Sequence, residues 1–239
     1  MNHGLGCIHE PLISNWQAER LRYYSSEVER DNREFCGPVT DQGQTSSCVA
    51  HALSNAIEML IAVKPCILSI YALARIHSGS SLAEDHGASI AASLAAVAGH
   101  GYLPEHEWPF DAGAVHNPPS WRVAAEGYDQ IGLRWHAVGS DRSRMISAGI
   151  GAVLPVVIGT VVNETFQSHD HTWDVWPGCE SGGGHAMLIV GEDPASYIVK
   201  NSWGEEHGLG GYSRIAKAHV LDEERTKTVA IIDAAEAFA

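Results

Sequence analysis

The pattern of hydrophobic and polar positions divides the chain into a helical first half and a strand-rich second half. Apolar residues recur at helical spacing from Val49 to Leu60, and Pro65 ends this pattern. Ser47 is a favourable N-cap residue, so Cys48 is predicted in the first turn of this helix. Further helices are predicted at 69–77 and 89–98.

The second half contains short apolar runs that are separated by turn residues and are typical of strands. Strands are predicted at 133–138, 153–158, 185–190, 197–200 and 211–215, with a short helix near 143–147 and a long loop at 163–184. Helices followed by strands indicate an α+β protein with two lobes. The predicted boundaries are an N-terminal arm (1–36, a short helix or extended), a helical lobe (37–125) and a β-rich lobe (126–239).

Composition excludes several classes of function. The chain has 239 residues, 45% of them hydrophobic and 18% charged, which is enough for one large domain or two small lobes. A net charge of −14 argues against a nucleic-acid partner or an anionic membrane and is typical of a solvated acidic surface. No signal peptide and no membrane-spanning segment are recognised, so a cytoplasmic location is expected.

The cysteines indicate a reducing compartment. Their odd number, five, without a signal peptide predicts mostly free thiols. No Cys or Cys/His spacing matches a structural zinc site, and neither a metal nor a cofactor is predicted. His169, Asp170 and His171 resemble a metal-binding cluster, but without a further ligand at the usual spacing a loop is the better interpretation.

Three short segments carry the chemistry: Gln42–Cys48, Gly184–Ala186 and Lys200–Gly204. They supply a thiol, an imidazole and two side-chain amides, which are the groups a thiol acyl-transfer enzyme needs. A helix N-terminus and a neighbouring imidazolium both stabilise a thiolate, and this favours Cys48 as the nucleophile. Each of these residues alone is more often a packing or turn residue, but their combination favours function. The other four cysteines and His51 are interpreted as packing residues.

These segments resemble the active-site sequences of papain-like cysteine peptidases. Gln42 to Cys48 resembles the nucleophile segment, Gly184-His185-Ala186 the histidine segment, and Lys200-Asn201-Ser202-Trp203-Gly204 the asparagine segment. The resemblance spans roughly residues 37–217. It implies a two-lobed fold with a helical lobe, a β-barrel-like lobe and a cleft between them.

The resemblance also implies roles for individual residues. Cys48 attacks the substrate carbonyl, His185 holds the proton and passes it to the leaving amine, and Asn201 orients the imidazole. Trp203 shields the His185–Asn201 hydrogen bond, and Gln42 donates to the oxyanion together with the Cys48 N–H.

A second set of residues is implied to bind substrate. Gly87, Ala88, Ser89 and Gly184, together with Trp203, line the cleft, and the backbone at Gly87 and Ala88 pairs with an extended peptide. A roomy specificity pocket is expected, lined by Ser89, Ile90, Gly183 and Ala186.

The sequence departs from the family pattern in several places. Thr45 stands where secreted relatives often have a disulfide-forming Cys, Val49 replaces a frequent Trp, and Cys179 has no partner after Asn201. These changes agree with a non-secreted, disulfide-free member. The N-terminal arm is shorter than the usual inhibitory propeptide, which implies an enzyme made in active form or controlled in another way.

Two further functions remain open beside hydrolysis of peptide or amide bonds. The same thioester transferred to an amine gives an acyltransferase or an amide-bond-forming enzyme of a biosynthetic pathway. A catalytically silent binding module is disfavoured by the complete set of Gln42, Cys48, His185 and Asn201. The sequence makes no prediction of oligomeric state.

Overall fold

The computed structural model describes residues 3–15, 27–116, 118, 128–168 and 173–235. The segment near Trp16, predicted as a short helix or an extended arm, and the 169–171 cluster, predicted as a loop, lie outside these residues. The predicted lobe boundary at 125/126 also falls in an undescribed stretch and stays a prediction.

Helices dominate the first half, as predicted. They are α1 (Cys48–Ile61), α2 (Ile67–His77) and α3 (Ile90–His100), followed later by α4 (Arg142–Gly151) and the short α5 (Glu164–Gln167) and α6 (Lys217–Leu221). Single 3-10 turns occur at Arg33–Phe35, Glu105–Glu107 and Ala112–Val115. Helix α1 begins at Cys48, but the Ser47 side chain makes no capping hydrogen bond and instead contacts the Thr45 hydroxyl.

An eight-stranded sheet forms the second half. The strands of the molecule are β1 (Cys7–Ile8), β2 (Arg30–Asp31), β3 (Ala88–Ser89), β4 (Gly132–Ala137), β5 (Val156–Val162), β6 (Val175–Trp176), β7 (Gly183–Glu192), β8 (Ser196–Lys200), β9 (Tyr212–Ala216) and β10 (Thr226–Ala235). The sheet has the order β4-β10-β5-β7-β8-β9-β6, with β2 added at the end of β7. Strands β1 and β3 form a separate parallel pair.

The expectation of a barrel-like lobe is wrong in one respect. Within the described residues the edge strands β4 and β6 do not pair, so the sheet is open. The α+β class is confirmed. Three differences from the predicted elements are strand β10, which lies between β4 and β5, and α5 and β6, which lie inside the predicted long loop.

The two faces of the sheet pack into two cores because side chains alternate along each strand. On β7, Ala186 and Leu188 point toward the core that holds α1, α2 and α3. Met187 and Ile189 point into a second core on the opposite face, which includes residues of α4. Helix α1 therefore packs directly on β7, and this contact sets Cys48 beside the strand that carries His185.

Candidate active site

The loop before α1 is fixed by the side chain of Gln42, which is fully buried. Its Nε2 donates to the Thr45 carbonyl at 2.6 Å, and its Oε1 accepts from the Ser202 hydroxyl at 2.6 Å. The Gln42 backbone N–H also donates to the Ser202 carbonyl at 2.9 Å. The amide is thus held in place from both sides of the cleft.

Cys48 lies at the start of α1 with no exposed surface. Burial raises the pKa of its thiol to about 11, against a lowering by the backbone N–H groups of Ala186, Gly6 and Val49 that point at the sulfur. Because Ala186 directly follows His185, its N–H places the sulfur beside the histidine backbone. Cys48 is a neutral thiol in this arrangement.

His185 is oriented by Asn201, as the resemblance implies. The two side chains meet at 2.8 Å between His185 Nε2 and Asn201 Oδ1, and the same Oδ1 accepts the Ser202 N–H at 2.8 Å. Since Oδ1 can only accept, Nε2 carries the hydrogen, and Nδ1 of the neutral ring is left with a lone pair. Among the described residues Nδ1 has no hydrogen-bond partner although it is buried.

The imidazole of His185 is kept neutral by its surroundings. Burial lowers its pKa to about 4, the Asn201 hydrogen bond opposes this shift, and the neighbouring His3 lowers the pKa further. The Trp203 ring stacks on His185 with centroids 4.4 Å apart and planes inclined by 24°. This stacking covers the His185–Asn201 pair, so the shielding expected of Trp203 agrees with the geometry.

The cleft is occupied by residues 3–10 of the chain itself, which we call the cleft segment. The Gly4 carbonyl accepts from Gln42 Nε2 at 3.0 Å, and the Gly6 carbonyl accepts from the Ala88 N–H at 3.0 Å. The His3 ring stacks on Trp203 at 4.7 Å. The N-terminal arm therefore reaches across Gln42 and Trp203, two of the residues predicted to form the site.

Glycines allow the cleft segment to approach this closely. A Cβ atom at Gly4 would lie 2.0 Å from the Thr45 carbonyl oxygen, and one at Gly6 would lie 2.1 Å from the Ser46 carbonyl oxygen. Both distances are far inside van der Waals contact with rigid backbone. Residues with a side chain at these two positions cannot lie on the loop before Cys48 without moving one of the two backbones.

The predicted substrate-binding residues line the same surface. Gly87 has φ +88°, and a Cβ there would lie 2.1 Å from the Gly6 carbonyl oxygen. Ala88 pairs with Cys7 through the β1–β3 ladder, and a Cβ at Gly184 would lie 2.2 Å from the Cys7 carbonyl oxygen. The Ser89 hydroxyl caps α3 by accepting the Ala92 N–H at 3.0 Å, and it donates to the Glu10 carboxylate.

The expected pocket is lined in part by residues that sequence reasoning missed. The Cys7 sulfur lies 2.9 Å from the place a Cβ of Gly159 would take, and Ile90 and Thr228 approach the same point. Strand register explains the grouping, because Gly159 on β5 pairs with Ala186 on β7 and with Thr228 on β10. The signal for Gly159 was a lone glycine inside an apolar strand.

Other candidate sites are not supported by contacts. His51 is buried, its Nδ1 lies 2.9 Å from the Thr40 hydroxyl, and burial lowers its pKa to about 3, which agrees with a packing residue. Within the described part of the chain there is no group of three or more His, Cys, Asp or Glu able to hold a metal ion. No helix in that same part is long and apolar enough to cross a membrane.

Comparison with known proteins agrees with this geometry. The family model described as papain family cysteine protease matches residues 25–231. An uncharacterized peptidase C1-like protein of Acanthamoeba polyphaga mimivirus is 30% identical over 77% of the chain, and mouse cathepsin K is 24% identical over 80%. The chain covers 65% and 59% of these two proteins, less than two thirds of their length.

Solved structures show the same fold. Xylellain, a cysteine protease from Xylella fastidiosa, superposes with a TM-score of 0.75 at 22% identity, and 98% of each chain is covered. A cysteine protease of Carica candamarcensis gives a TM-score of 0.70 at 19% identity, covering 86% of this chain and 97% of that protein. With the family model matching most of its residues, the chain belongs to the papain family of cysteine proteases.

Proposed function

We propose that this protein hydrolyses peptide bonds through an acyl-thioester on Cys48. The observation that carries the proposal is the peptide already present in the cleft. The cleft segment lies extended along β3, and its Gly4 carbonyl oxygen accepts from Gln42 at 3.0 Å. A surface that binds the protein's own backbone in this way is suited to a second peptide.

The reaction uses the groups in the arrangement described above. The Cys48 sulfur attacks the scissile carbonyl carbon while its proton passes to Nδ1 of His185, and the imidazolium then gives this proton to the leaving amine. Water attacks the thioester with His185 as the base, and free Cys48 is regenerated. Asn201 supports both steps because its Oδ1 keeps the hydrogen on Nε2 and leaves Nδ1 available.

The oxyanion is stabilised by Gln42 and by the backbone N–H of Cys48. Gln42 Nε2 has one N–H on Thr45 and directs the other at the Gly4 carbonyl. The Gly4 oxygen thus stands in for a substrate carbonyl oxygen. Loss of one such donor typically costs about 2.7–4 kcal/mol of transition-state stabilisation.

The cleft segment makes the described form a latent one. Its residues occupy the position that a substrate needs, and their burial of Cys48 and His185 disfavours both the thiolate and the imidazolium. Substrate therefore reaches Cys48 only after residues 3–8 leave. When the cleft segment leaves, water returns to Cys48 and His185. This removes the burial that is the main cause of both pKa shifts.

Selectivity arises in the pocket that Cys7 fills. Its wall is apolar at Ile90 and has no side chain at Gly159. A substrate side chain of modest size and apolar character fits beside Ala88 in place of Cys7. A reducing compartment such as the cytoplasm suits this site, and all five cysteines are free.

The proposal is tested by labelling and turnover of a Cys48→Ala variant. We expect this variant to lose both modification by a thiol-reactive epoxide inhibitor and cleavage of a peptide library. Cys179→Ala, which removes a half-buried thiol elsewhere, is the matched control and should retain both. Turnover that persists in Cys48→Ala would contradict the assignment of Cys48 as the nucleophile.

The acceptor of the acyl group is decided by product analysis. Water gives a free carboxylate, whereas an added amine gives a new amide of higher mass. We expect hydrolysis products to predominate with a simple primary amine present. Predominant amide formation at low amine concentration would instead identify an acyltransferase with the same residues.

A further inference from the structure

A single carboxylate joins the two backbone segments that face the cleft. Asp85 Oδ2 accepts the backbone N–H of Ser46 at 2.8 Å. Its Oδ1 accepts a short hydrogen bond from the Tyr71 hydroxyl, whose oxygen in turn accepts the N–H of Gly87 at 3.0 Å. A continuous chain of hydrogen bonds therefore runs from the loop before Cys48 to the residue that precedes β3.

Tyr71 is held rigidly in this chain. It is fully buried, and the Arg75 guanidinium lies 4.1 Å from its ring centroid. Arg75 also donates to the carbonyls of Glu84 at 2.9 Å and Val115 at 2.6 Å, so it fixes the loop that leads into Asp85. Burial and the Asp85 hydrogen bond raise the pKa of Tyr71, so its hydroxyl keeps the proton it donates.

We propose that Asp85 and Tyr71 are positioning residues that set the distance between the nucleophile and the edge on which a peptide lies. Ser46 is two residues before Cys48, and Gly87 adjoins Ala88, whose N–H binds the cleft segment. A peptide held on β3 presents its carbonyl to Cys48 at a spacing that these hydrogen bonds define. The proposal rests on the proposed function, since it concerns the same site.

This chain of hydrogen bonds, which we call the bridge, holds the two segments without a covalent link. All five cysteines are free, so no disulfide supports the loop before Cys48. A hydrogen-bonded carboxylate and phenol keep their geometry in a reducing environment, where a disulfide does not persist. The spacing of the cleft is thereby independent of redox conditions.

The role predicts a selective kinetic effect. A blocked tripeptide amide reaches β3, so its scissile bond is placed by the bridge; a blocked single-residue amide contacts only the catalytic groups. Loss of the bridge should therefore impair the long substrate more than the short one. Misplacement by about 1 Å can cost about 100-fold in rate.

The experiment compares kcat and KM of Asp85→Ala, Asp85→Asn and Tyr71→Phe with two aminomethylcoumarin amides. One is the blocked tripeptide amide that the wild-type chain cleaves best in a positional library, and the other is its blocked single-residue counterpart. The variants are made in the full wild-type chain and in a Gly6→Val background, in which the cleft segment competes less. Glu84→Gln is the matched control, because among the described residues the Glu84 carboxylate hydrogen-bonds only to the exposed His86 on the same loop.

For Asp85→Ala and Tyr71→Phe we expect the ratio of kcat/KM, tripeptide over single-residue amide, to fall about 10- to 100-fold. Asp85→Asn should lower the ratio less than Asp85→Ala, because an amide still accepts from Ser46 and donates to the Tyr71 oxygen, although the Tyr71 O–H loses its acceptor. If Asp85→Ala fails to fold, Tyr71→Phe, which removes one oxygen atom, gives the decisive ratio.

An unchanged ratio in an active protein, or an equal fall in Glu84→Gln, overturns this proposal alone. A uniform loss on both substrates also overturns it, because that result marks a merely structural role. If neither the wild-type chain nor the Gly6→Val chain cleaves either amide or takes a label at Cys48, the proposed function and this inference are overturned together.

Discussion

Residues 3–8 and residues 13–15 belong to one N-terminal segment but are held by different kinds of contact. Residues 3–8 are held through their backbone, by the close approach at Gly4 and Gly6 and by hydrogen bonds to the carbonyls of these two glycines. Residues 13–15 are fastened to β4 by side chains. Asn15 exchanges hydrogen bonds with Leu133 and Trp135, the Trp135 indole donates to the Ile13 carbonyl, and Ser14 accepts the Ala137 N–H.

Because of this difference, the release of residues 3–8 is separate from the anchoring of residues 13–15. A close fit between two backbones is disturbed by a single added side-chain atom. A substitution in the anchor at β4 removes only some of its hydrogen bonds. We therefore expect residues 3–8 to leave Cys48 while residues 13–15 stay bound. Residues that leave would remain at high effective concentration near the cleft, so we expect closure to be reversible.

The largest effect that tests this comparison is the pH dependence of Cys48 alkylation. With the cleft filled, burial raises the thiol pKa to about 11, so the thiolate fraction falls about tenfold for each pH unit below that value. We expect the rate with iodoacetamide, followed by mass spectrometry of the Cys48 peptide, to keep rising up to about pH 11. A rate that levels off near pH 9 or below would show that the segment does not cover the thiol.

The next largest effect is expected from Gly6→Val. The added side chain meets the Ser46 backbone, and overpacking of this kind costs about 1–3 kcal/mol, which shifts occupancy about 5- to 150-fold. Alkylation and peptide cleavage at pH 7 should rise by that factor, and the alkylation profile should level off at lower pH. Gly139→Val is the control, since no atom lies within 4 Å of a Cβ at Gly139. Equal activity of both variants would refute the role of shape.

A smaller effect is expected from Asn15→Ala, which weakens the anchor and leaves the shape fit intact. Loss of its hydrogen bonds to Leu133 and Trp135 costs about 1 kcal/mol, or about fivefold in occupancy at most. Cleavage at pH 7 should rise less than in Gly6→Val. Gln130→Ala, which removes an exposed hydrogen bond to the His100 carbonyl, serves for comparison. A rise above that of Gly6→Val would reverse the roles assigned to the two parts.

The smallest effect is expected from Glu10→Ala, between the two parts. Its carboxylate accepts from the Ser89 hydroxyl in a half-buried setting, and loss of this bond costs about 0.5 kcal/mol, or about twofold in occupancy. The helix cap at Ser89 stays in place because the same oxygen still accepts the Ala92 N–H. The alkylation rate relative to that of the exposed Glu34→Ala measures the effect, and a tenfold rise would contradict it.

Features encoded by neighbouring residues were predictable from the sequence. The start of α1 at Cys48 follows from a helical apolar pattern that begins beside a polar loop. The predicted catalytic residues were recognisable because each segment carries its own motif, and the fold brings Gln42, Cys48, His185 and Asn201 close together. The prediction of a capping hydrogen bond from Ser47 is wrong because the Ser47 hydroxyl pairs with the Thr45 hydroxyl instead.

Features decided by distant pairing were not predictable. Strand β10 contains only a four-residue apolar run, Val229–Ile232, and its central place is set by β4 and β5, far earlier in the chain. The cleft segment gives no periodic signal, since Gly4 and Gly6 read as a loop until the surface they touch is known. Gly159 and Thr228 join the pocket only through sheet register.

The close fit at Gly4 and Gly6 also provides a template for synthetic ligands of this cleft. A peptide that copies His3–Ile8 must keep positions 4 and 6 free of side chains, because any substituent meets the loop before Cys48. Position 7 takes an apolar side chain of modest size, because Cys7 points toward Gly159, and the side chain at position 5 lies on Gly183. An electrophile in place of the residue 6 amide, whose N–H points at the Cys48 sulfur, converts such a peptide into a covalent probe for this protein.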